Sequence, residues 1–204
     1  MSVRGPRLKI VRRLGVQLPG LTRKDGERRP TPPGQHGTSR VRRKKSLFRL
    51  RLEEKQKVRF NYGVTEGQMR RYMAAANAMG GVTGHNFLAL LERRLDNVVF
   101  RLGLAPTIPA ARQLVSHGNV RVDGQRVDRP SFRVKPGMTV TLSDRAREFA
   151  DVLTAVERGP QVKLPGYLAL DPDDRFTGRV IAHPQRHDVP FVVDDSAIVE
   201  HYAR

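Results

Sequence analysis

His183 and His187 stand at i, i+4, a spacing that on an α-helix would put two imidazoles on one face, where they could ligate a transition metal or serve as general bases. Pro184 and Pro190 speak against a helix there, because proline removes a backbone donor and clashes with the preceding turn. The pair therefore reads as loop histidines in solvent. No partner set of nucleophile, base and orienting carboxylate accompanies His36 or His117. The chain has no cysteine, which excludes disulfides, thiolate catalysis and cysteine-ligated zinc or iron–sulfur centres. No catalytic residue, metal or cofactor is expected, and no small-molecule substrate.

What the residues do supply in quantity is positive charge. Against 20 Asp+Glu stand 38 Lys+Arg, a net charge of +18 on 204 residues, and such an excess points to a polyanion, nucleic acid ahead of membrane. No apolar run reaches the ~20 residues of a membrane span, and the basic N-terminus lacks the apolar stretch of a signal peptide. A cytoplasmic protein with no membrane partner is the expectation. The excess is uneven. Residues 1–45 hold 14 basic against 2 acidic side chains, whereas residues 143–204 hold 8 against 11. The first stretch carries few large apolar residues and cannot fold alone, so it reads as an arm that orders on an RNA backbone. The acidic last quarter would be badly placed against phosphate and reads as protein-facing.

The elements that must position these charges are legible in capping residues and periodicity. "SLFRLRLEEKQKVRFNYG" reads as a helix capped by Ser46 and closed by Gly63, with Arg49, Arg51, Lys55, Lys57 and Arg59 as a phosphate-facing stripe. "TEGQMRRYMAAANAMGG" opens with a capping box of Thr65 and Gln68 and carries Arg70 and Arg71. Thr83 is expected to cap one core helix through "GHNFLALLERRLDNVVFRL", where apolar residues from Phe87 to Leu102 recur at helical spacing. A short helix follows with Thr107 as N-cap, Pro109 in its first turn and Gly118 just past its end. A two-residue Asp123-Gly124 turn then sets Val120 opposite Val127 and Arg121 opposite Arg126. Like charges across a ladder repel; a phosphate backbone on that surface, shared by Arg112, Arg121 and Arg126, would turn the repulsion into attraction. "MTVTL" supplies a third strand. "SDRAREFADVLTAVERG" reads as one more amphipathic helix, and the remainder, including the final residues, as short strands and turns.

The stretch "LERRLDNVVFRLGLAPTIPAARQLVSHGNVRVDGQRVDRPSFRVKPGM" resembles the small RNA-binding module named after ribosomal protein S-four. That module also occurs in pseudouridine synthases, some tyrosyl-tRNA synthetases and small heat-shock RNA-binding proteins. The flanks "RPTPPGQHG", "EEKQKVRFNYGVTEGQMRRY" and "IVEHYAR" resemble the bacterial small-subunit ribosomal protein family itself. A synthase or synthetase would need a further catalytic domain that this length does not hold. A generic polyanion binder or small heat-shock RNA-binding protein would need neither the ordered caps nor the matching flanks.

The resemblance implies an α+β fold: a mostly helical domain (46–88 and 143–204), an inserted module of two helices on a short antiparallel sheet (89–142), and an extended basic arm (1–45). It implies a primary binder of 16S rRNA that nucleates assembly of the 30S body and influences translational accuracy beside proteins S-five and S-twelve, with S-three a further neighbour. Many members carry a zinc-binding cysteine cluster near the N-terminus; this variant lacks it. In the arm, rRNA contacts are expected from Arg4, Arg7, Lys9, Arg12, Arg13, Pro33, Gly34, Gln35, His36, Gly37, Arg40, Arg42, Arg43, Lys44 and Lys45. In the helices they are expected from Arg49, Arg59, Tyr62, Arg70 and Arg71, and in the module from Arg112, Gln113, Ser116, His117, Asn119, Arg121 and Arg126. Asp194, Asp195 and Glu200 are expected to face a protein neighbour.

Overall fold

The computed structural model describes residues 6–24, 31–35, 37 and 45–203. They form two compact units, Met1–Phe87 with Phe191–Arg204, and Leu88–Pro190.

In the first unit, α1 (Arg7–Leu14) stops at Gly15, whose N–H still donates to the Val11 carbonyl and whose left-handed φ of 66° then turns the chain out of the helix. Val11, Leu18 and Leu21 are buried, and the Gly20 N–H donates to Asn61 Oδ1 at 3.0 Å. The front of the basic arm thus belongs to the core. Three apolar residues cannot build a core alone, but they complete one whose other wall is α2 (Leu47–Asn61). Ser46 caps α2 as expected, accepting from Arg49 N–H at 3.3 Å. Both halves of the Thr65/Gln68 capping box form at the head of α3 (Glu66–Asn77). The final residues, expected as strand or turn, form a helix, α9 (Asp195–Tyr202). Asp194 Oδ1 accepts from Ala197 N–H at 3.1 Å, and Ile198 is fully buried in a helix that packs on α2. Its weak amphipathic pattern hides a face that becomes useful only against α2 and, through the Tyr202 hydroxyl, against Glu66 of α3.

The core helix expected from Thr83 to Leu102 is two helices, α4 (Thr83–Glu92), within which the division between units falls, and α5 (Leu95–Arg101). Arg94 between them is extended and bridges to Arg133. Val134 N–H donates to the Arg93 carbonyl at 2.9 Å and Leu95 N–H to the Phe132 carbonyl at 2.9 Å. A backbone partner from far downstream breaks the helix, and the apolar period continues through the break.

In the second unit, α6 (Ile108–Ser116) carries the expected Thr107 cap and ends at Gly118, φ 72°. Strands β1 (Val120–Val122), β2 (Gln125–Arg126) and β3 (Thr139–Leu142) follow, then α7 (Asp144–Arg147) and α8 (Ala150–Arg158), where one helix was expected. Strands β4 (Leu168–Leu170) and β5 (Thr177–Val180) complete an antiparallel sheet of order β2-β1-β3-β5-β4. Residues 143–190, expected with the helical domain, therefore pack with the module. The pairing Thr139↔Arg179 and Thr141↔Thr177 joins them. Val120, Val122, Val140, Leu142 and Val180 face inward, and Arg121 and Arg179 face solvent. A Cβ on Gly178 would lie 2.3 Å from Leu102 Cδ2, so only glycine lets the end of α5 pack this tightly on the sheet. Among the described residues, no helix is long and apolar enough to cross a membrane.

Candidate nucleic-acid interface

The hairpin forms in the register its turn dictates. Asp123 and Gly124 both take positive φ, 49° and 78°, the geometry of a type I′ turn, and Arg121 pairs with Arg126. Val127 N–H donates to the Val120 carbonyl at 3.0 Å. Both arginines are exposed, and neither has a carboxylate partner among the described residues. Part of their mutual repulsion is relieved within the protein. The Arg126 guanidinium folds back over Gly118, where a Cβ would lie 2.1 Å from Nε. Gly118 follows the last turn of α6, so the cation sits near the negative end of a helix dipole. The remaining positive charge faces solvent.

Arg112 does not join this pair, contrary to the expected convergence. Its Nε and Nη2 donate to Asp96 Oδ2 at 3.0 and 2.6 Å. Asp96 is fully buried and also takes Arg94 through Nε to Oδ1 at 3.0 Å and Nη2 to Oδ2 at 2.7 Å. A dry carboxylate holds Arg112 far more firmly than solvent would. Gln113 and Ser116 are exposed on the same helix, His117 is exposed at its C-cap, and Asn119 is half-buried just beyond it.

The stripe on α2 does not exist as one surface. The i, i+2 spacing of Arg49 and Arg51, and of Lys55 and Lys57, turns each pair to different sides of a helix. Arg49 Nε meets Glu53 Oε1 at 2.9 Å, Arg51 pairs with Glu200, Lys55 meets Glu66 at 3.2 Å, and Lys57 meets Glu54. Lys45 also reaches Glu53, at 2.6 Å. Burial raises the Glu53 pKa, but the hydrogen bonds from Lys45 and Arg49 outweigh it and leave the carboxyl below its ordinary value. Arg59 donates to Gln56 Oε1 at 3.3 Å. Arg70 and Arg71 on α3 remain exposed without a carboxylate partner among the described residues. Tyr62, expected at RNA, is a core residue: it is 1% exposed and its ring centroid lies 6.1 Å from that of Phe191. It closes α2 with an N–H bond to the Val58 carbonyl.

In the arm, Lys9 and Arg13 are exposed and Arg7 partly so, while Arg12 Nε donates to the Thr31 carbonyl at 3.1 Å. Gly34 and Gln35 are exposed beside the half-buried Pro33. Gly37 is used by the chain itself, since a Cβ there would lie 2.1 Å from the Pro32 carbonyl oxygen. Arg4, His36, Arg40, Arg42, Arg43 and Lys44 lie outside the described residues.

The three acidic positions expected at a protein interface are occupied within the first unit. Asp194 caps α9 while its N–H donates to Glu54 Oε2 at 3.0 Å. Asp195 Oδ2 lies 3.7 Å from His85 Nε2 and leaves no room for a side chain on Gly84. Glu200 takes Arg51, although its own side chain is 55% exposed. A count of acidic residues along the chain cannot distinguish carboxylates aimed outward from those that cap a helix, face a histidine or pair with an arginine inside the unit.

Sequence reasoning also missed a buried polar cluster. Tyr167 Oη and Asn97 Nδ2 donate to Glu92 Oε2 at 2.7 and 2.9 Å, with Arg101 Nε 3.6 Å away. Burial, then the charge of Glu92, pushes the Tyr167 hydroxyl well above its ordinary pKa, so it stays a donor. Glu92, Asn97 and Arg101 lie at i, i+5 and i+9 across a helix break, a spacing that carries no signal until the break is known.

An antiparallel sheet backed by short helices, with exposed arginines on its hairpin, defines a basic binding module rather than a catalytic pocket. Residues 93–140 match the S4 domain, and residues 2–92 match the family described as ribosomal protein S4/S9 N-terminal domain. Over 199 residues the chain is 51% identical to the small ribosomal subunit protein uS4B of Nitrosomonas europaea, spanning 98% of this chain and 96% of that protein. It is likewise 51% identical over 201 residues to uS4 of Thermosynechococcus vestitus, spanning 98% and 97%. The chain belongs to the ribosomal protein S4 family.

Proposed function

We propose that this protein is a non-catalytic structural constituent of the small ribosomal subunit that binds its rRNA. The observation that carries the reading is the Arg121–Arg126 pair, two exposed cations held opposite one another whose mutual repulsion the fold relieves only in part. A polyanion supplies the missing counter-charge, and relatives over 98% of the chain are named small ribosomal subunit proteins. Lys9, Arg13, Arg70 and Arg71 extend the proposed contact surface. Arg112 acts only through the part of its side chain that its pairing with the buried Asp96 leaves exposed, and Tyr62 acts through packing.

In this reading the RNA is 16S rRNA, and binding nucleates the 30S body in the cytoplasm. Proteins S-five, S-three and S-twelve are the proposed neighbours, with the exposed edge of Glu200 on the protein-facing side. The test is filter binding of the full chain to protein-free 16S rRNA across a salt series. Affinity should fall steeply with salt, and Arg121→Gln should make log K against log salt shallower by about 0.7–0.9, the share of a single phosphate. A salt-independent affinity would end the reading.

A further inference from the structure

The cleft between α6 and α8 in the second unit deepens the rRNA-binding reading and rests on it. Its volume is about 380 Å³, within the ~300–1,000 Å³ of sites that take small organic groups. Leu114 on α6 and Phe149 at the head of α8 give it apolar walls, and Gln113, His117 and Asn119 line it with polar groups. Among the described residues the side chains of Gln113 and His117 make no hydrogen bond. Asn119 is anchored through its backbone, its carbonyl accepting from Ser143 N–H at 2.9 Å, and its Oδ1 lies 3.5 Å from Ser143 Oγ, so its amide N–H₂ remains available as a donor.

Among the described residues, the one formally charged side chain lining the cleft is Asp151. A carboxylate repels phosphate but accepts from an amine. Apolar walls, a half-buried aromatic ring, neutral donors and acceptors, and an acceptor carboxylate together match an unstacked nucleobase. The phosphate grip adjoins it: the Arg126 guanidinium covers Gly118, which stands between His117 and Asn119 in the chain. Backbone contacts set position and base contacts set identity, and here the two kinds of group are neighbours.

We propose that this cleft receives one unpaired base of the bound RNA, stacked on Phe149 and held along its edge by Gln113 and Asn119, with Asp151 accepting from an exocyclic amine.

The test uses the full chain and protein-free 16S rRNA, with filter binding over a salt series and chemical probing of base edges by dimethyl sulfate and a carbodiimide. Wild-type protein should protect one unpaired base. Phe149→Ala and Phe149→Leu should weaken binding about 5- to 150-fold, the range for losing a stacked base. Gln113→Ala and Asn119→Ala should weaken it less, and in every variant the same base should become reactive. The salt slope should not change, because these side chains grip a base and leave the phosphates to the arginines. Gln113 is exposed on a helix surface, so its variant stays informative should the Phe149 variants fold poorly. Wild-type protection and affinity in Gln113→Ala and Asn119→Ala would overturn the proposal. So would a slope that falls along with affinity, or a benzophenone placed at position 149 that cross-links in assembled subunits to a protein and not to RNA. Failure of the wild-type chain to bind 16S rRNA would overturn the rRNA-binding reading, and the base site with it.

Discussion

Asp96→Ala should be among the most damaging single substitutions in the second unit. The carboxylate is fully buried and receives four guanidinium hydrogen bonds, two from Arg94 and two from Arg112, at 2.6–3.0 Å, and a fifth at 3.0 Å from the Asn97 N–H. Arg94 is itself only 2% exposed, so its charge would lose its carboxylate in a dry setting, whereas Arg112, with 26% of its side chain exposed, can recover some hydration. Breaking such a buried pair costs about 3–5 kcal/mol. For a chain of this length each kcal/mol lowers Tm by roughly 2–4 °C, which gives a fall of about 6–20 °C. Thermal melts followed by far-UV circular dichroism measure it. The paired variant Asp96→Leu with Arg94→Met removes both buried charges and should recover most of the loss. A single variant melting within about 2 °C of wild type, well inside that range, or a double variant as unstable as the single, would show that the cluster does not hold α5 and α6 as argued.

Leu21→Ala, in the basic arm, should cost about 2–5 kcal/mol in urea unfolding because the side chain is fully buried; an arm that only touched RNA would show no change. Gly103→Ala should destabilise by roughly 1–3 kcal/mol, since φ is +79° and a Cβ would lie 2.8 Å from Pro160 N. Acid should loosen α9. Burial raises the Glu66 pKa, but hydrogen bonds from Tyr202 and Lys55 outweigh it, so the carboxyl titrates below its ordinary 4.5 when folded. A depressed acid adds stability that is fully present above pH 4.5 and is lost as pH falls below that value through the folded pKa. Tm should therefore decline below pH 4.5, and Tyr202→Phe, which removes the 2.9 Å bond to Glu66, should flatten the decline.

The features that came directly from sequence were those set by neighbours in the chain. Ser46, Thr65 and Thr107 cap their helices because a side-chain oxygen three residues upstream of an orphan N–H needs no tertiary partner. The register Arg121↔Arg126 follows from the two-residue Asp123-Gly124 turn alone. The net charge of +18 and the order of motifs identified the family and the class of partner. Tertiary structure decided which charges remain available. Lys55, Lys57 and Arg112 read along the chain as cations for RNA, yet Glu66, Glu54 and Asp96 claim them, and such pairings depend on how helices meet. The split of the core helix at Arg93-Arg94, the docking of Leu18 and Leu21, and the addition of β4 and β5 to the sheet each rest on a partner tens of residues away. Local preferences of a fraction of a kcal/mol per residue cannot encode those meetings, because backbone pairing and burial between distant segments outweigh them.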